Sequence, residues 1–215
     1  MKIVLPRFLY KKGMVIKVQP KSVDDASTLD HLKKNTVDAL IDSLSDSDPF
    51  IRSISCEVLG RMREHKALKP IIKLLKDASK YVREKAAIAL GNIGDRSAVP
   101  SLIEALNDES EEVRVTVAGV LGHLRDRLAV PALIASLRDP SPLARMKAAI
   151  SLGLIRDEAA VPALYTALKD DNELVRKYAC EALGNIGRGA IPALLMALKD
   201  ERVKAHAAQA LVKIK

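Results

Sequence analysis

The chain has 215 residues, 48% of them apolar but only 3% aromatic, with two cysteines and no tryptophan, so a disulfide framework is excluded and Leu, Ile, Val and Ala must carry the burial. No stretch approaches the roughly 18 apolar residues of a membrane span, and the apolar run at Ile3-Val4-Leu5 is too short for a signal peptide, so a soluble cytoplasmic protein is expected. The net charge of +8 is unevenly placed: residues 1–35 hold eight Lys/Arg against three acids, and the remainder 27 bases against 24 acids.

Residues 1–26 match nothing else in the chain. Their two apolar runs, Ile3–Leu5 and Met14–Ile16, flank Lys11-Lys12-Gly13 and are compatible with a hairpin. Pro6 argues against a central strand, which leaves an extended arm over the first repeat or a free tail as alternatives. From Ser27 a helical period sets in through Leu29, Leu32, Val37, Leu40, Ile41 and Leu44. It predicts one helix to Leu44 or a helix broken near Asn35.

Beyond that point the chain repeats itself. Asp46, Asp77, Asp108, Asp139 and Asp170 stand 31 residues apart, as do Arg52, Arg83, Arg114, Arg145 and Arg176, and Gly60, Gly91, Gly122, Gly153 and Gly184. Three residue types holding one period over five copies predict a solenoid. Each copy reads as two helices. The first (helix A) has apolar residues at i, i+3, i+4 and i+7, such as Val99, Leu102, Ile103 and Leu106, with Pro100, Pro131, Pro162 and Pro192 in its first turn. The second (helix B) begins after Asp48, Ser79, Ser110, Ser141 or Asn172, all good N-caps, and buries residues such as Val113, Val117, Leu121 and Leu124. The expected division is a non-repeat arm or cap over 1–26 and an array over 27–215. The array has five full repeats from about 36 to 189 and a degenerate sixth over 190–215, where Lys204 takes the Arg place and Val212 the Gly place.

Segments such as AVPALIASLRDPSPLARMKAAISLG (129–153) and AVPALYTALKDDNELVRKYACEALGNIG (160–187) resemble HEAT repeats, in particular the short, regular variety first noted in phycobilin lyase subunits. The resemblance covers roughly residues 36–215. It implies an all-α, right-handed α-solenoid with A helices on the convex side and B helices lining the concave side. It leaves function open, because scaffolds, bilin lyases and a di-iron hydroxylase share this fold. The hydroxylase builds its metal site from His-Glu dyads; here the histidines are followed by Leu32, Lys66, Leu124 and Ala207, so that motif is absent.

The frame residues have structural readings. An Arg buried without a partner costs several kcal/mol, and an Asp stands six residues before each Arg of the row, so the two rows are expected to pair as a ladder. Glycine in mid-helix costs about 0.5–1 kcal/mol against Ala, which points to close approach of neighbouring helices. Cys56 and Cys180 fall where other copies have Ala87, Ala118 and Ala149, and are expected to be small core residues.

Positions one, two, five and nine residues after the Arg face away from the core of helix B, yet many are apolar. Ile88, Val115, Met146, Ile150, Leu154 and Tyr178 gather there, flanked by Lys85, Lys147 and Lys177. At about 50 Å² apiece the six apolar side chains would expose on the order of 300 Å², near the scale of a functional patch; crowding between B helices is the competing explanation. These nine residues are the candidate partner-binding site, and no catalytic, cofactor or metal residue is assigned. The expected function is a non-enzymatic scaffold holding a protein or peptide, acidic if the lysines select it. The alternatives are a tetrapyrrole (bilin) lyase or lyase subunit, by family analogy, and nucleic-acid or anionic-surface binding through the basic N-terminal arm. Few aromatics accompany those basic residues, only Phe8 and Tyr10, which disfavours nucleic acid. Leu211, Val212 and Ile214 at the far end allow a monomer or an end-to-end homodimer.

Overall fold

The computed structural model describes the backbone of residues 26–214 and the side chains of residues 34–214. Residues 1–25 lie outside it, and with them the arm or cap and its basic charge. The chain divides into two compact units, Met1–Thr36 and Val37–Lys215. α1 (Ala26–Ser43) is one unbroken helix, so no break occurs near Asn35.

The B helices are α2 (Pro49–Arg61), α4 (Lys80–Ile93), α6 (Glu111–Leu124), α8 (Pro142–Ile155), α10 (Glu173–Ile186) and α12 (Lys204–Lys213). Between them run short A helices, α3 (Leu68–Lys73), α5 (Val99–Ala105), α7 (Val130–Ser136), α9 (Val161–Ala167) and α11 (Ile191–Ala197). No strand occurs among the described residues. Each A helix follows a single 3₁₀ turn, and in four copies that turn is capped by a carboxylate, Glu64, Asp95, Asp126 or Asp157, accepting a backbone N–H two residues on. Helix B gives way to the next turn through a left-handed residue, Arg63, Gly94, Arg125, Arg156 or Gly187, again one repeat apart. Three arginines tolerate this conformation at the end of a helix, where a cation also meets the negative end of the dipole.

The B helices pack on one another far more extensively than the A helices do. The Gly row makes this approach possible: a methyl group on Gly60 would stand 2.6 Å from Ala89 Cα, and one on Gly153 2.8 Å from Ala182 Cα. The core is a continuous stack of small and branched aliphatics, from Leu59 and Ile71 through Leu102, Leu121 and Leu152 to Leu183 and Leu194, all fully buried.

The Arg–Asp ladder exists, but its pairing differs from the one expected. Nε and Nη2 of Arg52, Arg83, Arg114 and Arg145 grip both carboxylate oxygens of Asp77, Asp108, Asp139 and Asp170, 25 residues later, at 2.6–3.0 Å. The Asp six residues earlier offers its backbone carbonyl instead, to Nη1, at 2.8–2.9 Å. Each Arg therefore ties its own elbow to the elbow of the next repeat. The Asp completes the joint by accepting the backbone N–H two residues on, from Ser79 at 2.9 Å and Ser141 at 2.8 Å for example. Ser79 and Ser110, expected as caps, make no side-chain cap bond.

Candidate functional site

The nine residues expected to form the groove all stand on the B helices α4, α6, α8 and α10, and all are half-buried. Met146 and Tyr178 pack directly against the core. The lysines are less available than their sequence positions suggest. Lys85 Nζ donates to Glu57 Oε2 at 2.7 Å, and this bond, helped by Arg61, holds the Glu57 carboxyl below its ordinary range. The stem of Lys147 lies over Gly119, where a methyl group would be 3.4 Å from its Cδ. Lys177 Nζ sits 5.4 Å from the centroid of the Tyr178 ring. Crowding between B helices therefore accounts for a large part of this apolar row.

Four of the exposed large apolar side chains stand at a position that sequence reasoning does not single out, two residues before a ladder Arg. Phe50 is 65% exposed, Tyr81 67%, Leu143 47% and Leu174 52%. They share one period of 31 residues, and Glu112 holds the equivalent place in the third repeat. At 100° per residue this position projects between the +1 and +2 directions of the same helix, so the column borders the half-buried row. The signal is present in the sequence as a further apolar row; it is masked because a residue in the first turn of a helix reads as part of the cap.

The column is interrupted by a small acidic cleft. Glu84 of α4, Glu111, Glu112, Val115 and Thr116 of α6, and Leu143 of α8 line an open cleft of about 350 Å³. Ser110 donates to Glu112 Oε2 at 2.5 Å and Lys80 to its Oε1 at 2.9 Å, which together draw the Glu112 carboxyl down to about 2. Ser141 donates to Glu111 Oε1 at 2.6 Å, and Thr116 to Glu84 Oε1 at 3.3 Å. A larger cleft of about 580 Å³ lies between α3 and α5, but its charged groups Asp77, Arg83 and Asp108 are already committed to the ladder.

Cys56 and Cys180 are fully buried, and burial pushes both thiols up to about 12, far from a reactive thiolate. Among the described residues, no three His, Cys, Asp or Glu side chains are grouped closely enough to hold a metal ion, and no helix is long and apolar enough to cross a membrane.

Two stacked layers of short helices, joined by an Arg–Asp ladder and repeated every 31 residues, are the features by which this architecture is recognised. The family model for HEAT repeats matches residues 68–142 and again 130–212. The chain belongs to the HEAT-repeat family. Among solved structures, the HEAT array is similar to a designed armadillo repeat protein in complex with the peptide (KR)4, at 25% identity over 82% of this chain and 98% of that one, with a TM-score of 0.59. An engineered protein aligns with a TM-score of 0.58 and 22% identity over 83% of this chain and 96% of that one. The CpcE–CpcF complex of phycocyanin lyase from Nostoc sp. PCC7120 covers 94% of this chain and 100% of that one, at 20% identity and a TM-score of 0.48. No curated protein sequence matches significantly.

Proposed function

We propose that this HEAT array is a non-enzymatic scaffold that binds a polypeptide segment along its concave face. The observation that carries the reading is the exposed column Phe50, Tyr81, Leu143 and Leu174 on successive B helices. Together these side chains expose on the order of 400 Å², divided by the acidic cleft into two smaller apolar patches, and exposed apolar patches rimmed by polar residues mark interaction sites. Regular spacing favours a chain-like partner, which can place one side chain on each repeat. The ladder holds the B helices in fixed register, so little ordering entropy is lost by the protein on binding. The designed armadillo repeat protein in complex with the peptide (KR)4 supports the reading as an example of a similar array that takes a peptide.

The test is a random-peptide display selection on the immobilised protein, repeated with a Leu143→Glu, Leu174→Glu variant. Enriched peptides should lose at least about tenfold in affinity, roughly 1.4 kcal/mol, on the variant, while its circular dichroism stays unchanged. No enrichment, or peptides indifferent to both substitutions, would sink the proposal.

A further inference from the structure

Resting on that reading, we infer that the bound segment carries a lysine or arginine between apolar residues, and that this side chain enters the cleft between α4, α6 and α8. Its head would lie between Glu84 and Glu111, and its methylene stem against Val115 and Leu143.

The geometry restricts what the column can accept at this point. Phe50 and Tyr81 precede the cleft, Leu143 lines it and Leu174 follows it, so a segment laid along the column meets apolar surface, then carboxylates beside Leu143, then apolar surface again. A purely apolar side chain placed at the third repeat would strip water from two carboxylates without replacing their hydrogen bonds, an unfavourable exchange. An acidic one would add like charge. A long cation satisfies both halves of the cleft, because its stem is apolar and its head donates hydrogen bonds. Each carboxylate keeps capacity for it: the hydroxyls of Thr116 and Ser141 engage a single oxygen of Glu84 and of Glu111 respectively. The third carboxylate, Glu112, is already held by Lys80 and Ser110, and Lys80 and Arg114 act on Glu84 and Glu111 only through space, without a hydrogen bond to either.

This reverses the acidic partner expected from Lys85, Lys147 and Lys177. Lys85 is already paired with Glu57, and the other two lie one and two repeats further along, over Gly119 and beside Tyr178.

The experiment uses three fluorescein-labelled peptides of Leu and Gln that differ only at the central residue, Lys, Gln or Glu, with anisotropy titrations on the full chain. The Lys peptide should bind at least about tenfold more tightly than the Glu peptide, with Gln between them, because its head forms a charge-assisted hydrogen bond where a glutamate would meet like charge. The variant Glu84→Gln, Glu111→Gln should bring the three within about twofold of one another. Equal binding of all three by the unmodified protein, or tightest binding of the Glu peptide, overturns the inference and leaves the groove reading standing. If none of the three binds, the groove reading fails and this inference with it. Loss of all three on Leu143→Ser, with their order preserved in whatever binding remains, supports both.

Discussion

The joints inside the array and the joint at its C-terminal end are built from the same parts, but only the internal ones close. Arg145 holds Asp170 with two side-chain bonds and the Asp139 and Pro140 carbonyls with Nη1. Arg176 keeps the carbonyl half of this arrangement, donating from Nη1 to Asp170 at 2.8 Å and Asp171 at 2.9 Å. Its Nε is buried without a partner. The acid that should meet it, Asp200, falls 24 residues on instead of 25, and is taken by Arg202 at 2.9 and 3.2 Å. Correspondingly α12 packs on α10 less extensively than α8 does, and Val212, in the Gly place of that last helix, is 86% exposed. A one-residue change in spacing is enough to open a joint, because a bidentate grip tolerates little displacement of the carboxylate.

Three measurements break or sharpen this comparison. The largest effect is expected from the ladder itself. Arg145→Ala leaves Asp170 without its main cation and should cost about 3 kcal/mol, the low end for a broken buried pair because both partners keep some exposure. Arg176→Ala removes only carbonyl contacts and should cost about 1 kcal/mol. Urea unfolding of the two variants checks this, and equal losses would mean that the terminal joint is closed after all.

The glycine row comes next. Gly60→Val drives two methyl groups into the Ala89 backbone and should cost about 2–3 kcal/mol by overpacking. Val212→Ala, at the corresponding place in the last repeat, should change the stability by less than about 0.5 kcal/mol. A large loss at Val212 would show that this face is covered in solution, as in an end-to-end dimer.

The smallest effect per joint is the pH dependence. Burial pushes the Asp77, Asp108 and Asp139 carboxyls up, but their Arg partners and a backbone N–H outweigh it, and all three lie below the ordinary range. At Asp170 the Arg145 fork is the leading cause of the same shift. A carboxyl depressed in the native state stabilises the fold above its unfolded pKa, near about 3.9, and that stability is lost as pH falls through the native value. Thermal midpoints should therefore be flat from about pH 7 to 5 and fall below about pH 4. Asp139→Asn should flatten the acid limb by its share. Asp200→Asn should leave it nearly unchanged, since the exposed pair it forms with Arg202 is screened by solvent; an equal flattening would remove the distinction between the joints.

Much of this was legible in the residues alone. The 31-residue period, the helical content and the reason for the Gly row all follow from local spacing, and Leu102, Leu133 and Leu164 are buried where the periodicity places them. The binding face was legible only in part. Ile88, Val115 and Ile150 stand on the B helices, but the surrounding residues cover most of each. Phe50, Tyr81, Leu143 and Leu174, in the first turn of their B helices, remain exposed.

The sequence by itself determined what repeats, since helix period, caps and turns depend on residues a few positions apart. Only the tertiary structure decided what each repeated residue meets. Arg52 takes Asp77 and leaves the nearer Asp46 with a backbone contact, because stacking brings the next elbow beside its fork at 2.8 Å. Contacts between repeats depend on how two helices settle against each other, and no spacing within one repeat records that.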